Sequence, residues 1–451
     1  MQKQSPDFIK PNLMPSISLE AKPNSIQNTA ALDLLKKGIW LYFILLIFEG
    51  ALRKWVLPGL ATPLLIVRDP LAIFLIVKAI QSGYFKANLY IIVAWVLTFL
   101  SFYTTLIVGH GNLFVAVYGL RIFALHFPLI FIIARIFNRQ DVIQMGRVIL
   151  WIHIGMTVLV AIQFFSPQSA WVNLGVGGDE TGSGFSGAAG YFRVPGTFSF
   201  TNGLIMFYSY TTAFIFYFWI DAKAQISKVL LFVATFALLA AIPLSVSRSL
   251  FFQIIITLLF TLVIASRSPK NLFRILGSIV LGIVLLYVLN TMAFFQTATF
   301  AFTERFESAN KVEGGMEGVF LDRFLGGMLN ALTANLDSHF WGQGLGMGTN
   351  AGAKLMTGET TFLISEGEWG RLIGEMGIML GFIAIILRFV LTFSMFRKAW
   401  SALKYDNFLP WLLFSFVWVV VLQGQWAQPS ALGFAVLSGG LLLASLKKQD
   451  V

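Results

Sequence analysis

Arg193 and Arg248 stand out by their surroundings. Arg193 lies in Tyr191-Phe-Arg-Val-Pro-Gly-Thr-Phe-Ser-Phe-Thr-Asn202-Gly203, directly before a long apolar run. Arg248 lies in Ser245-Val-Ser-Arg-Ser249, a short break between two more such runs. An arginine in a short turn flanked by hydroxyls is suited to gripping phosphate. Its planar fork makes bidentate, charge-assisted hydrogen bonds to phosphate oxygens. The same placement serves a loop arginine that binds lipid headgroups. A second constellation is Ser365-Glu366-Gly367-Glu368-Trp369-Gly370-Arg371-Leu-Ile-Gly-Glu375-Met-Gly377, which runs straight into another apolar stretch. A carboxylate partly shielded at a membrane entrance can hold a proton near neutral pH and work as a general base. Acids also favour helix N-termini. That accounts for Glu366 and Glu368; it accounts poorly for Glu375, deeper along the helix.

Other motifs carry less. Gly342-Gln-Gly344-Leu-Gly346-Met-Gly348 is spaced like a nucleotide loop, but no Lys-Ser/Thr pair follows it. Without that pair the reading as a P-loop is rejected. A tight turn, or backbone amides lying near a pyrophosphate, stays open. The chain has no cysteine and four histidines, none closely paired. Disulfides and thiol catalysis are excluded, and neither a metal nor a cofactor is expected.

The elements that must hold these residues are membrane spans. Of 451 residues, 57% are hydrophobic and 12% charged, against about 45–50% and about 25% in soluble proteins. Mean hydropathy is +0.78. Repeated apolar runs of roughly 18–22 residues are each long enough to cross a bilayer. This excludes a soluble enzyme, a disordered chain and a nucleic-acid binder. The excess of 32 Lys+Arg over 21 Asp+Glu reflects topology. The fold expected is an all-α polytopic membrane protein with about twelve transmembrane helices, at 38–57, 60–80, 88–108, 113–135, 147–166, 202–220, 229–246, 249–265, 274–292, 372–394, 408–423 and 429–446. Residues 1–35 are polar, with Pro6, Pro11, Pro15 and Pro23, and read as a disordered cytoplasmic tail. Residues 36–451 then form the transmembrane domain. With both termini inside, every inside loop is basic, from Lys36 and Lys37 through Lys78, Lys86, Arg139, Arg267, Arg397 and Lys404 to Lys447, as the positive-inside rule requires. Joining 229–265 into one span would reverse all that follows.

Two outer segments are long. Residues 167–201 are glycine-rich, and 293–371, between spans nine and ten, hold nine of the 21 acids. Loops beyond about 15 residues are usually functional or disordered. Helix-like spacing of Phe320, Phe324, Met328 and Leu332 predicts a partly helical cap over 316–336.

Ionisable groups within spans cost on the order of 2.5–3.5 kcal/mol each at mid-helix. Glu49, Arg53, Lys54, Arg68 and Asp69 gather at the outer ends of spans one and two. They read either as structural ion pairs joining two helices or as the border of a polar, outward-facing cavity. Arg121 is expected to snorkel or pair inside the bundle, Arg388 to snorkel to the inner face, and His126 and His153 to be structural.

Four features together resemble the O-antigen ligase and polymerase family of GT-C-like membrane glycosyltransferases. They are Arg193-x-x-Gly196-x-Phe198-x-x-x-Asn202, Ser247-Arg248-Ser249, the penultimate outer loop with His339-Phe-Trp-Gly342-Gln-Gly344-Leu-Gly346, and Glu375-x-Gly377. The resemblance covers roughly residues 150–395. It implies transfer of a glycan from an undecaprenyl-pyrophosphate carrier to a sugar hydroxyl of a glycan or glycolipid acceptor, at the outer face of the bacterial inner membrane. It also implies metal-independent chemistry, the bilayer as partner, and neighbouring polysaccharide-assembly proteins. Arg193 and Arg248 would bind the donor pyrophosphate, with Arg371 and Asn202 as further substrate contacts. One departure matters. The family's ligases carry a His-Asn pair about nine residues before Glu-x-Gly, and Glu366-Gly367 stands there in this chain. Glu366, or Glu368, could then be the base, with His339 kept for a local structural role. A membrane transporter of an anion or small solute is the competing class, and would show broken helices and charges crossing mid-membrane. A noncatalytic component of envelope polysaccharide assembly is the third reading.

Overall fold

The computed structural model describes residues 27–221, 226–267, 269–313, 340–359 and 363–447. The cap expected over 316–336 and His339 lie outside them. The described residues are mostly helical, and the strands among them form one short hairpin. By length and composition six helices can cross a membrane, and a pair bent by 109° would make seven. Three shorter apolar helices accompany them.

Helix α1 (Gln27–Ala51) begins inside the segment expected to be a disordered tail. Ala30, Ala31, Leu32, Leu34 and Leu35 are good helix formers, and Leu35 is fully buried, so the helix extends through them. A π-turn (Leu52–Val56) and two 3-10 turns follow before α2 (Arg68–Gln81). Pro58, Gly59 and Pro63 keep 58–66 from continuing as the helix expected from residue 60, because proline supplies no amide and glycine is a poor helix former. Helix α3 (Leu89–Ile107) is capped by Asn88. The next span is α4 (Leu113–Arg121), a π-turn (Ile122–His126) and α5 (Leu129–Ile136). Helix α6 (Arg139–Phe165) opens on a capping box made by Asn138 and Asp141. The segment after it holds β1 (Phe185–Ala188) and β2 (Tyr191–Arg193), antiparallel with Phe185 opposite Arg193.

Helices α7 (Thr201–Ile220), α8 (Lys228–Leu244), α9 (Arg248–Ala265), α10 (Pro269–Asn290) and α11 (Ala293–Glu313) follow. The short Ser-Arg-Ser break does separate α8 from α9, through Val246 at φ 47°. After α12 (Asn350–Thr357) come α13 (Glu368–Ala402), α14 (Leu409–Leu422) and α15 (Pro429–Ala444). Helix α15 is buried on all sides from Ala431 to Ala444. It packs on α5, α7, α14 and α1, so it is the axis of the bundle. Large apolar side chains stay exposed on the outer helices, such as Phe99 and Tyr103 on α3 and Leu259 on α9. These are faces for lipid.

Helix α13 is two helices. Gly377, at φ 79° and ψ 168°, separates 368–376 from 378–402. The two arms fold back on each other: a Cβ on Gly381 would lie 2.7 Å from Ile373 Cα. Only glycine fits the bend, since a Cβ there would overlap the Phe340 carbonyl oxygen as well as adopting a disfavoured positive φ.

Candidate active site where four helix ends meet

Helices α9 and α14 run antiparallel, and their hydrogen bonds set their register. Gln253 Nε2 donates to the Ser415 carbonyl at 2.8 Å, and Trp411 Nε1 donates to the Phe260 carbonyl at 2.9 Å. Counting outward at about 1.5 Å per residue, Arg248 lies about 7.5 Å beyond Gln253, and Leu422 about 10.5 Å beyond Ser415. The start of α9 and the end of α14 therefore share one level. Helix α7 packs against both. At 14 and 16 residues, α14 and α15 are about 21 and 24 Å long, short of a hydrocarbon core of about 30 Å. Their connecting turn is Gln423-Gly-Gln-Trp-Ala-Gln428.

A half-buried polar belt occupies this level. Asn202 Nδ2 donates to Gln428 Oε1 at 3.0 Å. Gln428 donates to Gln425, and Gln425 donates to the Glu366 carbonyl. The Glu366 side chain itself is exposed. Arg53 reaches the belt from the π-turn, with Nη1 donating to Ser199 Oγ at 2.9 Å and Nε to the Ala61 carbonyl at 2.7 Å. Arg68 Nη2 donates to the Pro429 carbonyl at 2.6 Å. The starts of α7 and α15 have no side-chain cap, so their first-turn amides and the positive ends of their dipoles face this region. The arrangement favours an anion, and its amides and hydroxyls suit sugar hydroxyls.

Arg193 ends β2, and Arg248 opens α9. Arg193 stacks on Phe185 at 4.6 Å and donates to the Ser186 carbonyl at 3.3 Å. Helix α11 packs on β1, α8 and α9, and its Phe302 and Phe306 meet Phe251. One helix thus bridges the elements that carry both arginines.

Glu368 and Arg371 have a different task from the one their spacing led us to expect. Arg371 donates through Nε and Nη2 to both Glu368 oxygens at 2.9 Å, and through Nη1 to Glu375 Oε2 at 2.5 Å. Arg388 Nη1 donates to Glu368 Oε1 at 2.5 Å, and its other nitrogens donate to the Val421 and Gly424 carbonyls at 2.7 and 2.8 Å. All four side chains are buried. A carboxylate held by two guanidiniums is a poor base, and a guanidinium saturated by two carboxylates has no fork left for phosphate. Arg388 does not snorkel: it is fully buried, with its head 4.0 Å from the Trp426 ring. The fold-back at Gly377 brings it to Glu368. Glu375 also accepts from the Gly348 amide at 2.9 Å. The amides of Gln343, Gly344 and Leu345 donate to the Gly374 carbonyl, the Glu375 carbonyl and Thr105 Oγ1. The glycine run is therefore a tight docking turn, its amides spent within the protein.

A second buried network joins α1, α2 and α4. Arg68 Nε donates to Glu49 Oε2 at 3.1 Å, and Arg53 lies 3.8 Å from Glu49 Oε1. Arg121 Nη1 and His126 Nε2 lie 2.7 and 2.8 Å from Asp69 Oδ1, and Tyr42 bridges His126 and Arg68. Lys54, fully buried, donates to the Gly196 carbonyl at 2.7 Å. His153 meets the Ala234 carbonyl at 3.1 Å, a structural contact.

Ser199, Gln425 and Gln428 escaped sequence reasoning. For the two glutamines the signal was weak, a run of Gln, Gly and Pro between two short apolar helices, and Ser199 was one hydroxyl among several in the Arg193–Asn202 segment. Among the described residues, no group of three or more His, Asp or Glu is placed to hold a metal ion. No family model, curated protein or solved structure matches the chain.

Proposed function

We propose that this chain is a membrane glycosyltransferase. In this reading it moves a glycan from an undecaprenyl-pyrophosphate carrier to a sugar hydroxyl at the outer face of a bacterial inner membrane, as a polysaccharide polymerase or ligase. The apolar helices of the bundle, the short ones included, count toward about twelve spans of a GT-C-like architecture with both termini cytoplasmic. The observation that carries the reading is the polar belt at the meeting of these helix ends. Cationic and amide side chains meet two uncapped helix starts there, and an exposed carboxylate, Glu366, stands at its edge.

The chemistry follows from those groups. Glu366 takes the proton of the acceptor hydroxyl, whose oxygen attacks the anomeric carbon of the donor. The bond from that carbon to the pyrophosphate oxygen breaks, and the electron pair leaves with the lipid pyrophosphate. A single displacement of this kind inverts the anomeric centre. Arg193 and Arg248 stabilise the charge growing on the leaving group, a contribution that costs about 10²–10³-fold in rate when one donor is lost. Asn202, Gln425 and Gln428 orient sugar hydroxyls.

Carrier-linked and surface glycans resolved on gels test this in the producing cell, with the gene deleted and then complemented by wild type or Arg248→Ala. Arg248→Ala is expected to match the deletion. Accumulated single repeat units would identify a polymerase, and full-length polymer stranded on the carrier a ligase. Unchanged glycans in the deletion would overturn the proposal. The break at 52–67 is what a solute transporter would also have, and unchanged glycans would favour that reading.

A further inference from the structure

Trp171 keeps 64% of its surface open, and the chain holds it there firmly. It begins a 3-10 turn, Trp171–Asn173, a few residues after α6. Asn173, fully buried, donates from Nδ2 to the carbonyls of Gln163, Ser166 and Pro167 at 3.0, 3.1 and 3.1 Å. Gln163, also fully buried, donates to the Val172 carbonyl at 2.7 Å and accepts from the Gly196 amide at 2.9 Å. Two buried amide side chains thus tie the turn to α6 and to the Arg193–Asn202 segment. Single exposed apolar residues are ordinary. A large aromatic on a turn anchored in this way is a fixed contact surface.

The indole is half of a stack. Its ring lies against Trp55, with centroids 5.5 Å apart and planes inclined by 27°. One face of Trp171 is therefore covered, and its other face and edges stay open. Trp55 belongs to the π-turn after α1, and the Lys54 ammonium lies 4.5 Å from its ring centre. The Arg53 carbonyl accepts from the Gly177 amide at 3.1 Å, and the Arg53 side chain reaches Ser199 on the polar belt. The stack borders the belt.

Charge selects what would lie on it. The loop after the turn closes back, with the Ser183 amide donating to the Asn173 carbonyl and the Gly175 amide to the Asp179 carbonyl, both at 2.7 Å. Asp179, Glu180 and Thr181 are exposed on this loop, and Ser169 before the turn. Two carboxylates repel phosphate and anionic headgroups. Carboxylates and hydroxyls accept from sugar hydroxyls, and an indole face, negative at its centre, packs on the C–H bonds of a pyranose ring.

We propose that the Trp55–Trp171 stack is a platform for uncharged sugar residues of the glycan, beyond its pyrophosphate-linked end. This rests on the transferase reading and deepens it. The belt handles the reacting ends, and the stack holds the chain, so affinity rises with glycan length.

The test is calorimetric binding of oligosaccharides, released by mild acid from the producing cell's own surface glycan, to the full chain in lipid nanodiscs. Wild type is expected to bind oligosaccharides of several repeat units more tightly than a single unit. Trp171→Ala is expected to weaken the longer ones about tenfold, and Trp171→Phe to keep most of the affinity, with melting temperatures near wild type in both. No binding by wild type, or equal affinity in wild type and Trp171→Ala, would overturn the platform, and the glycan profile of Arg248→Ala would still decide the transferase reading. Equal affinity with a melting temperature lowered by Trp171→Ala in nanodiscs and not in detergent would assign the stack to the lipid interface instead, a common place for tryptophan. Binding through Trp171 in a chain whose deletion leaves the glycans unchanged would keep the platform and sink the transferase reading.

Discussion

Glu368 accepts from two arginines that reach it from opposite directions, Arg371 three residues on and Arg388 twenty residues on. Removing one partner of a buried pair leaves a charge stranded, at about 3–5 kcal/mol. Arg388→Met is therefore expected to lower stability by roughly that much, read as a large fall in melting temperature of the purified protein. Glu366 lies two residues away on the exposed side. Glu366→Gln is expected to abolish transfer, since an amide cannot take the acceptor's proton, while the melting temperature stays within a few degrees of wild type. A normal rate in Glu366→Gln would remove it as the base. The sequence separated these neighbours poorly. It offered Glu366 and Glu368 as equivalent bases and Arg371 as a substrate contact, because spacing along one helix says nothing of a partner twenty residues away. Arg388 was misread for the same reason: depth along a straight helix put it near the inner face, and the helix is not straight.

Gly377 decides what α13 is. Its positive φ and its close approach to the Phe340 carbonyl leave no space for a methyl group. Gly377→Ala is expected to open the hairpin and undock the turn at 342–348, seen as faster proteolysis of the outer loop and a lower melting temperature. Gly277→Ala, at a helical glycine whose added Cβ would meet nothing within 4 Å, is the control. It is expected to be neutral or to stabilise by about 0.5–1 kcal/mol. Apolar runs set most helices close to where hydropathy put them, and the break before α9 was readable from three residues. The π-turns at 52–56 and 122–126 were not, because Arg53 and His126 sit in patterns that a regular α-helix would also accept.

At the scale of the whole molecule, the absence of cysteine makes topology directly measurable. Single cysteines replacing Glu180 or Glu359, both exposed in segments the proposed topology puts outside, are expected to react with a membrane-impermeant maleimide in intact cells. Cysteines replacing Ala87 or Lys404, exposed in basic loops, are expected to react only after permeabilisation. The reverse pattern would invert the orientation and detach the belt from the outer face.

The hairpin also sets an order in time. Glu368 emerges from the ribosome 20 residues ahead of Arg388 (388 − 368), the second guanidinium it pairs with. At about 5–20 residues per second, that leaves roughly 1–4 s in which the early arm carries Glu368 without its second partner. The polar belt waits longer, since it takes Gln425 and Gln428 from the turn before α15. A nascent chain stopped just before that turn holds most of its apolar helices and none of its finished belt.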